Sequence, residues 1–377
     1  MPEARPASPL GLQRIGALHR YVRDLEATRY YFTELLGFRA TAASTPAAEA
    51  AHGERSVLFE AGGCRVVCTE GIRAEAKASH YLARHPEGIG ALSFEVEDLD
   101  AAHAWLDTHG GTPLSEPAWT GESSALCGSF AIATPLPDVE FRFVQREHNA
   151  PLLPDLESVD AGETDADSFG FLGFDHITCN HQTMSPMLLW LEHVLGLHRD
   201  WRVEFHNGES GLRSVVMVDE PSGLKIANNE PCRPHFHASQ VSLYCDDQHG
   251  PGIQHVAILV EDILAAVHQL RERGVRFVHT PAQYYAGLDA RLAKAGVGSL
   301  EEDTQALQRL EILADGDAPG RYLLQIFMED SARFSGSGEA SPFFFELIER
   351  KGCEGFGAGN FGALFDGVEL LQAGRRR

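Results

Sequence analysis

Two segments of the chain share one order of apolar and polar positions. Residues 88–98 form an almost wholly apolar run that ends in Glu-Asp, and residues 252–262 repeat it. Each run is followed by an alanine pair, a leucine and a glycine at matching spacings. The pattern predicts a buried strand and then a helix with Asp near its start and Gly at its end. An internal repeat is therefore expected.

Two further pairs of segments extend the repeat. Residues 16–38 run from Gly-Ala-Leu-His to Leu-Gly-Phe, and residues 174–197 run from Phe-Asp-His to Leu-Gly-Leu. Residues 139–146 and 343–350 close the two halves with similar strand-like runs. These pairs predict an α+β fold of two tandem halves, 1–150 and 170–377. The acidic, proline-containing stretch 151–169 is the expected linker.

Composition narrows the possible partners. The chain has 31 basic and 54 acidic residues, a net charge of −23, and 44% of its residues are hydrophobic. Such a charge disfavours binding to nucleic acid or to an anionic membrane, because either would need a basic face. No apolar run reaches the ~18 residues of a membrane span. The seven scattered cysteines favour reduced thiols, and hence a cytoplasmic protein.

Three candidate strands of the second half carry possible metal ligands, namely His176, His255 and Glu346. Overlaying the halves places these counterparts in the first half: His19, Ala91 and Arg142. Two imidazoles and one carboxylate form the facial triad of non-haem Fe(II) enzymes. The alternative stays open that a histidine on a strand is an ordinary core residue, since the chain has 18 histidines.

Glu346 strengthens the metal interpretation. It lies in the run 342–348, which is otherwise apolar or proline. Burying an ionised carboxylate there costs several kcal/mol unless it is paired or bound to metal. Alternation along a strand places Glu346 on one face with Phe344 and Ile348, so a solvent-facing position is disfavoured.

Eight short motifs, in order along the chain, resemble the 4-hydroxyphenylpyruvate dioxygenase family of the vicinal-oxygen-chelate superfamily. They are Phe174-Asp175-His176, Ser210-Gly211-Leu212-Arg213-Ser214, Asn229-Glu230-Pro231, Ser239-Gln240, Gly252-Ile253-Gln254-His255, Leu324-Gln325-Ile326-Phe327, Phe344-Phe345-Glu346, and the run from Gly355 to Phe361. The resemblance implies a glyoxalase-like fold in which each half pairs two βαβββ modules into an open barrel of mixed sheet, followed by a C-terminal helix.

The resemblance also implies the chemistry. Fe(II) would be bound by the triad, and 4-hydroxyphenylpyruvate and O2 would become homogentisate and CO2 in tyrosine catabolism. The implied substrate-binding residues are Ser214, Asn229, Gln240, Gln254, Gln325, Phe327, Phe344, Phe356, Asn360 and Phe361. Among them, Gln240, Gln254 and Gln325 are also implied in catalysis. A homo-oligomer, dimer or tetramer, is expected.

Several alternatives remain at this point. Ala227 stands where the family has proline, which widens the predicted pocket and tilts slightly toward side-chain oxidation, the reaction of the related 4-hydroxymandelate synthases. Phe361 keeps an aromatic side chain and favours attack on the ring. A ring-cleaving extradiol dioxygenase is disfavoured because the matched polar residues are mostly amides. A metal-free aromatic-binding protein is disfavoured by the complete triad.

Two regions outside the triad carry further predictions. The spacing of Phe361, Leu364, Phe365 and Val368 fits one face of a helix. The resemblance implies that this helix is a lid over the substrate, and a helix packed permanently on the core is the open alternative. The pair Tyr284 and Tyr285 is expected on the surface.

Overall fold

The computed structural model describes residues 8–121, 125–147, 150–159, 169–207, 210–233, 239–329 and 341–360. Within these ranges the chain forms two mixed β-sheets, one from each half, with short helices packed against them. The predicted C-terminal helix and Phe361 lie outside the described residues.

The first half builds a sheet whose strands run in the order β10-β2-β3-β4-β1-β5-β9-β8-β6, with β7 also paired to β8. Its strands are β1 (Leu12–Val22), β2 (Arg39–Ser44), β3 (Glu54–Ala61), β4 (Cys64–Gly71), β5 (Gly88–Val96), β6 (Thr112–Pro113), β7 (Ala118–Thr120), β8 (Cys127–Ala133), β9 (Glu140–Arg146) and β10 (Leu156–Ser158). Its helices are α1 (Leu25–Tyr30), which continues into a π-helical turn (Tyr31–Leu35), α2 (Pro46–His52), α3 (Lys77–Leu82) and α4 (Leu99–Thr108).

The second half builds a sheet in the order β12-β13-β14-β11-β15-β18-β17-β16. Its strands are β11 (Phe171–Asn180), β12 (His198–Asn207), β13 (Ser210–Asp219), β14 (Leu224–Pro231), β15 (Gly252–Val260), β16 (Leu313–Ala318), β17 (Arg321–Phe327) and β18 (Phe344–Lys351). Its helices are α5 (Ser185–His193), α6 (Gln240–Gln248), α7 (Ile263–Glu272), α8 (Ala282–Ala286), α9 (Leu288–Lys294) and α10 (Thr304–Leu310), and a 3-10 turn spans Ala358–Asn360.

Both sheets are built on the same plan. An antiparallel pair lies at the centre, β1 with β5 and β11 with β15. Each central strand has a parallel neighbour on its outer side, which is the last strand of its own module. The predicted α+β repeat of paired βαβββ modules is therefore confirmed, and each half is a mixed sheet.

The repeated helix signals act as expected. Asp98 caps α4 by accepting a hydrogen bond from Ala101 N at 2.9 Å, and Asp262 caps α7 by accepting one from Ala265 N at 2.9 Å. Gly110 and Gly274 follow the two helices with φ of 84° and 94°. Such left-handed positions suit glycine because it has no Cβ.

The predicted linker 151–169 is partly built into the first sheet. Its residues 156–158 form β10 and pair with β2. Leu152 and Leu156 are buried against Leu58 and Val67 of that sheet. Burial of these two leucines stabilises the packing of the segment on the first sheet, so this part is more than a linker.

One apolar core runs through both halves. The ring of Phe32 lies 6.3 Å from that of Phe345, and the ring of Phe38 lies 5.8 Å from that of Phe171. Gly62, with φ of 54°, lies so close to the other half that a Cβ would come within 1.7 Å of the carbonyl oxygen of Phe171. The two sheets are thus packed together, and a side chain larger than hydrogen at Gly62 would separate them.

The structure also bears on the cysteines and on membrane-spanning helices. All seven cysteines are buried and unpaired. Among the described residues, every helix is too short or too polar to cross a bilayer.

His181, which follows β11, makes the fold sensitive to acid. Its Nε2–H donates to Asn228 Oδ1 at 3.1 Å, and burial lowers its pKa from 6.5 to about 4. Between these values the unfolded chain binds a proton that the folded chain does not, so stability falls as the pH falls. We expect His181 to account for a loss of up to about 3 kcal/mol in the free energy of unfolding between pH 6.5 and 4.

Denaturant unfolding across this pH range measures the effect. His181→Gln should flatten the pH dependence, and the exposed control His193→Gln should not. A slope unchanged in His181→Gln would contradict the assignment.

Candidate active site

Three adjacent strands of the second sheet bring the predicted metal ligands together. His176 on β11 is in register with Ala257 on β15, which is in register with Glu346 on β18. His255, two residues before Ala257, shares its face. Glu346 Oε2 lies 3.5 Å from His176 Nε2 and 3.3 Å from His255 Nε2. All three side chains are buried, and one ligand atom from each lies within 4.8 Å of the others.

Both imidazoles are oriented by a second hydrogen bond. His176 donates from Nδ1 to Asp175 Oδ2 at 2.8 Å, and His255 donates from Nδ1 to Gln254 Oε1 at 3.1 Å. Asp175 in turn accepts from Arg350 Nε at 2.6 Å and from its Nη2 at 2.7 Å. In each ring the bond at Nδ1 leaves Nε2 directed at Glu346, which is the tautomer that a metal ligand needs.

The charges in this cluster are interdependent. Burial opposes ionisation of Asp175, but its hydrogen bonds from Arg350 and His176 hold its pKa well below the usual range. Burial likewise opposes ionisation of Glu346, yet the imidazoles of His176 and His255 keep its pKa lowered. Glu346 and Asp175 raise the pKa of His176 against the effect of burial, whereas burial lowers the pKa of His255. A carboxylate is therefore held ionised in an apolar interior.

The donor set fits a divalent transition metal. Imidazole nitrogen and carboxylate oxygen suit such ions, and three ligands on one side leave coordination positions free for other molecules. Metal binding would also replace the protons that now stabilise the cluster, because ligands bind in their deprotonated form.

A cavity extends from these three residues between the strands and α6. Seven of the predicted substrate-binding residues line it: Ser214, Asn229, Gln240, Gln254, Gln325, Phe327 and Phe356. Its apolar walls include Leu212, Val241, Ile348 and Ala227. The structure thus brings most of the expected site residues around one space.

Two other predicted residues, Phe344 and Asn360, are not among the cavity walls. The ring of Phe344 stacks on that of His255 at 5.0 Å, so it packs behind a ligand and is not among the cavity walls. Asn360 is buried and accepts a hydrogen bond from the Tyr284 hydroxyl at 2.6 Å. The expectation that Tyr284 and Tyr285 lie on the surface is wrong, because Tyr285 is buried and Tyr284 holds Asn360 in place.

Two polar cavity residues were missed by the sequence reasoning. Thr178 and Asn180 follow His176 at every second position of β11 and share its face. Asn180 Oδ1 accepts from Asn229 Nδ2 at 3.0 Å, while Asn180 Nδ2 is buried with no partner among the described residues. Gln240 Oε1 is likewise buried without a partner there. Alternation along β11 places Thr178 and Asn180 on the face of His176, and this pattern could have identified both from the sequence.

The alignment of His19 with His176 is wrong by two residues. In the first half Ala17 on β1 pairs with Ser93, and in the second half His176 on β11 pairs with Ala257. A register shift lies just before Ala17 in β1 and just before His176 in β11. His19 therefore corresponds to Thr178. A shift of two residues keeps a side chain on the same face, so the hydrophobic pattern could not reveal it. The triad positions in the first half are occupied by Ala17, Ala91 and Arg142.

Comparisons with known proteins agree with this architecture. A family model described as the glyoxalase/bleomycin resistance protein/dioxygenase superfamily matches residues 14–126 and 173–291. A 4-hydroxyphenylpyruvate dioxygenase of Dictyostelium discoideum is 33% identical over 305 residues, which cover 78% of this chain and 80% of the relative. A probable 4-hydroxyphenylpyruvate dioxygenase 2 of Aspergillus fumigatus is 32% identical over 410 residues, covering 98% and 96%.

A solved structure shows the same fold. It is a triple mutant of 4-hydroxymandelate synthase from Streptomyces coelicolor, with a TM-score of 0.81 over 96% of this chain and 99% of that one. The sequence identity is 24%, so the likeness concerns the fold.

Asp175 provides a test of the cluster that leaves the three candidate ligands intact. Asp175→Asn replaces the charged carboxylate that orients His176 and pairs with Arg350 by a neutral amide. We expect the affinity for a divalent metal to fall by about 10- to 100-fold, as measured by competition with a chelating dye. The exposed Asp107→Asn serves as control. An unchanged affinity in a folded Asp175→Asn variant would show that Asp175 does not position a ligand.

Proposed function

Because the chain belongs to the 4-hydroxyphenylpyruvate dioxygenase family, within the glyoxalase/bleomycin resistance protein/dioxygenase superfamily, we propose that it converts 4-hydroxyphenylpyruvate and O2 to homogentisate and CO2. One observation carries the proposal. Three potential ligands of one metal meet in a cavity that also holds an amide donor and an amide acceptor, neither of which has a partner within the described ranges.

The metal in this proposal is Fe(II), bound by His176, His255 and Glu346. Bound Fe(II) supplies the redox chemistry that joins dioxygen to the substrate. The protein contributes neutral groups around it, since Gln254 and Gln325 are amides. Neutral amides orient the carboxylate and keto groups of a 2-oxo acid without adding charge to the metal.

The phenolic end of the substrate has a suitable partner at a distance from the ligands. Asn180 lies four residues beyond His176 on β11, about 13 Å along the strand. A phenol both donates and accepts a hydrogen bond, so it can accept from Asn180 Nδ2 and donate to Gln240 Oε1. Binding a phenol there would satisfy two buried polar atoms that otherwise cost free energy.

Aromatic and aliphatic side chains keep water from the reacting groups. The ring of Phe356 lies 5.1 Å from that of His176, and the ring of Phe327 lies 6.0 Å from that of His255. Both line the cavity beside the candidate ligands. Apolar rings there provide a face for the substrate and exclude solvent from an oxidising centre.

Side-chain hydroxylation to 4-hydroxymandelate is the second candidate. Ala227 is buried on the cavity wall, where a proline would fill more space, and it gives the substrate more freedom. Product analysis distinguishes the two reactions.

A homo-oligomeric assembly is a further proposal, and analytical ultracentrifugation of the full chain would measure its oligomeric state.

Glu346→Gln tests the metal assignment with little change in volume. The variant loses the negative charge that pairs with the metal, so we expect bound metal to be depleted and turnover to fall more than about hundredfold. The exposed Glu301→Gln is the matched control. In the parent protein, Fe(II) should restore activity after chelation, whereas Zn(II) should not, and chromatography with mass spectrometry should identify homogentisate. Full iron content and activity in Glu346→Gln would overturn the assignment.

Asn180→Leu tests the phenol site. The variant loses the proposed hydrogen bond to the phenol as well as the bond from Asn229 Nδ2. Loss of the bond to the phenol should raise the KM for 4-hydroxyphenylpyruvate by roughly tenfold. The affinity for phenylpyruvate, measured by competition, should change little because that compound lacks the hydroxyl. Equal weakening of both compounds would indicate a general disturbance of the cavity and contradict a role for Asn180 in binding the phenol.

A further inference from the structure

The first sheet contains a cavity of about 370 Å³ at the place that corresponds to the candidate active site in the second sheet. The strand registers show the correspondence residue by residue. Cross-strand partners Ser56 and Thr69 of the first sheet match partners Ser214 and Asn229 of the second. Lys77 and Gln240 are each the first residue of the helix that follows the last strand of a module. The repeat has thus preserved a pocket as well as a scaffold.

The chemistry of this pocket is different. Two of the three ligand positions hold alanines, Ala17 and Ala91, so the described residues offer no equivalent metal centre. The third position, that of Glu346, holds Arg142. A cationic side chain therefore stands at the point where the second half would gather a metal ion, and a second cation, Lys77, lines the same cavity.

The guanidinium of Arg142 is held in place by only one of its edges. Its Nε donates to Glu140 Oε1 at 2.7 Å, and Lys77 forms an ion pair with the other carboxylate oxygen. Neither Nη atom of Arg142 has a protein hydrogen-bond partner in the described part of the chain. A second acid at the cavity, Glu54, accepts from Ala78 N at 2.6 Å. Glu140 thus orients the guanidinium while its outer N–H groups remain available.

The rest of the lining is mostly uncharged and partly apolar. Its other acid, Asp155, lies 3.4 Å from His52 Nε2. The hydroxyls of Ser56, Thr69 and Ser129 line the cavity, as does the buried His19, whose Nε2 lies 2.6 Å from Ser93 Oγ. Burial and the nearby cations lower the pKa of His19, so its imidazole is neutral. Val67 and Leu156 add apolar surface.

We propose that this cavity binds a small organic carboxylate. The carboxylate accepts hydrogen bonds from the free N–H groups of Arg142 and from Lys77, and the body of the ligand lies against Val67 and Leu156. Both halves then hold an oxyanion at the same point of the module, one by a metal and the other by a fixed guanidinium. The inference does not rest on the proposed function, because it concerns residues of the first sheet.

Titration of the full chain with 4-fluorobenzoate, followed by fluorine NMR and calorimetry, tests the proposal. We expect one saturable site that is weakened roughly 10- to 100-fold by Arg142→Gln. Lys77→Met changes a half-exposed side chain, so it should preserve the fold and weaken binding several-fold. Arg55→Gln, on the opposite face of β3, should bind like the parent protein, and Glu346→Gln should retain this site.

Three results would overturn the proposal. One is the absence of saturable binding in the parent chain. Another is an affinity unchanged by both Arg142→Gln and Lys77→Met. The last is binding abolished by Glu346→Gln but not by Arg142→Gln, which would place the ligand in the second half. Homogentisate production is measured separately, so failure of one proposal is distinguishable from failure of the other.

Discussion

The buried carboxylate of Glu346 requires polar partners, and the surrounding structure supplies them. An ionised carboxylate in an apolar interior is stable only with partners that offset its lost hydration. Two imidazoles supply that compensation, and each is aimed by a further hydrogen bond from Nδ1. For His176 the chain of contacts continues through Asp175 to Arg350 on the same strand as Glu346. The result is a closed polar cluster whose inner atoms face one point.

The sheet makes this cluster possible because each ligand comes from a different strand. Register across β11, β15 and β18 sets the separations, and packing of both halves into one core keeps the registers in place. The same plan in the first half carries alanines and an arginine at these positions. At one position of the duplicated fold, the second half thus has an anionic side chain, Glu346, and the first half has a cationic one, Arg142. The fold explains where a ligand lies, and the side chains decide what it is.

Much of this architecture could be predicted from the sequence. The repeat was visible because buried strands leave apolar runs, and Asp98 and Asp262 marked helix starts by a local hydrogen bond. The triad was visible because the carboxylate of Glu346 lies inside an apolar run, where it must be paired or bound to a metal. These signals are local, so tertiary structure did not obscure them.

The errors and omissions have equally physical causes. His19 was matched to the wrong residue because a shift of two positions along a strand keeps the same face. The strand at 156–158 was missed because three residues give too short a pattern, and its stability comes from Leu152 and Leu156 packing on distant strands. Asn180 was missed because an asparagine signals function only when its surroundings show it to be buried and unpartnered.

Anomalous diffraction at the iron absorption edge, on crystals prepared with Fe(II) without oxygen, tests the central claim most directly. A single strong peak is expected among Nε2 of His176, Nε2 of His255 and the carboxylate of Glu346. A fully loaded iron that lies elsewhere, or crystals that take up no iron while these three side chains keep their present positions, would contradict it.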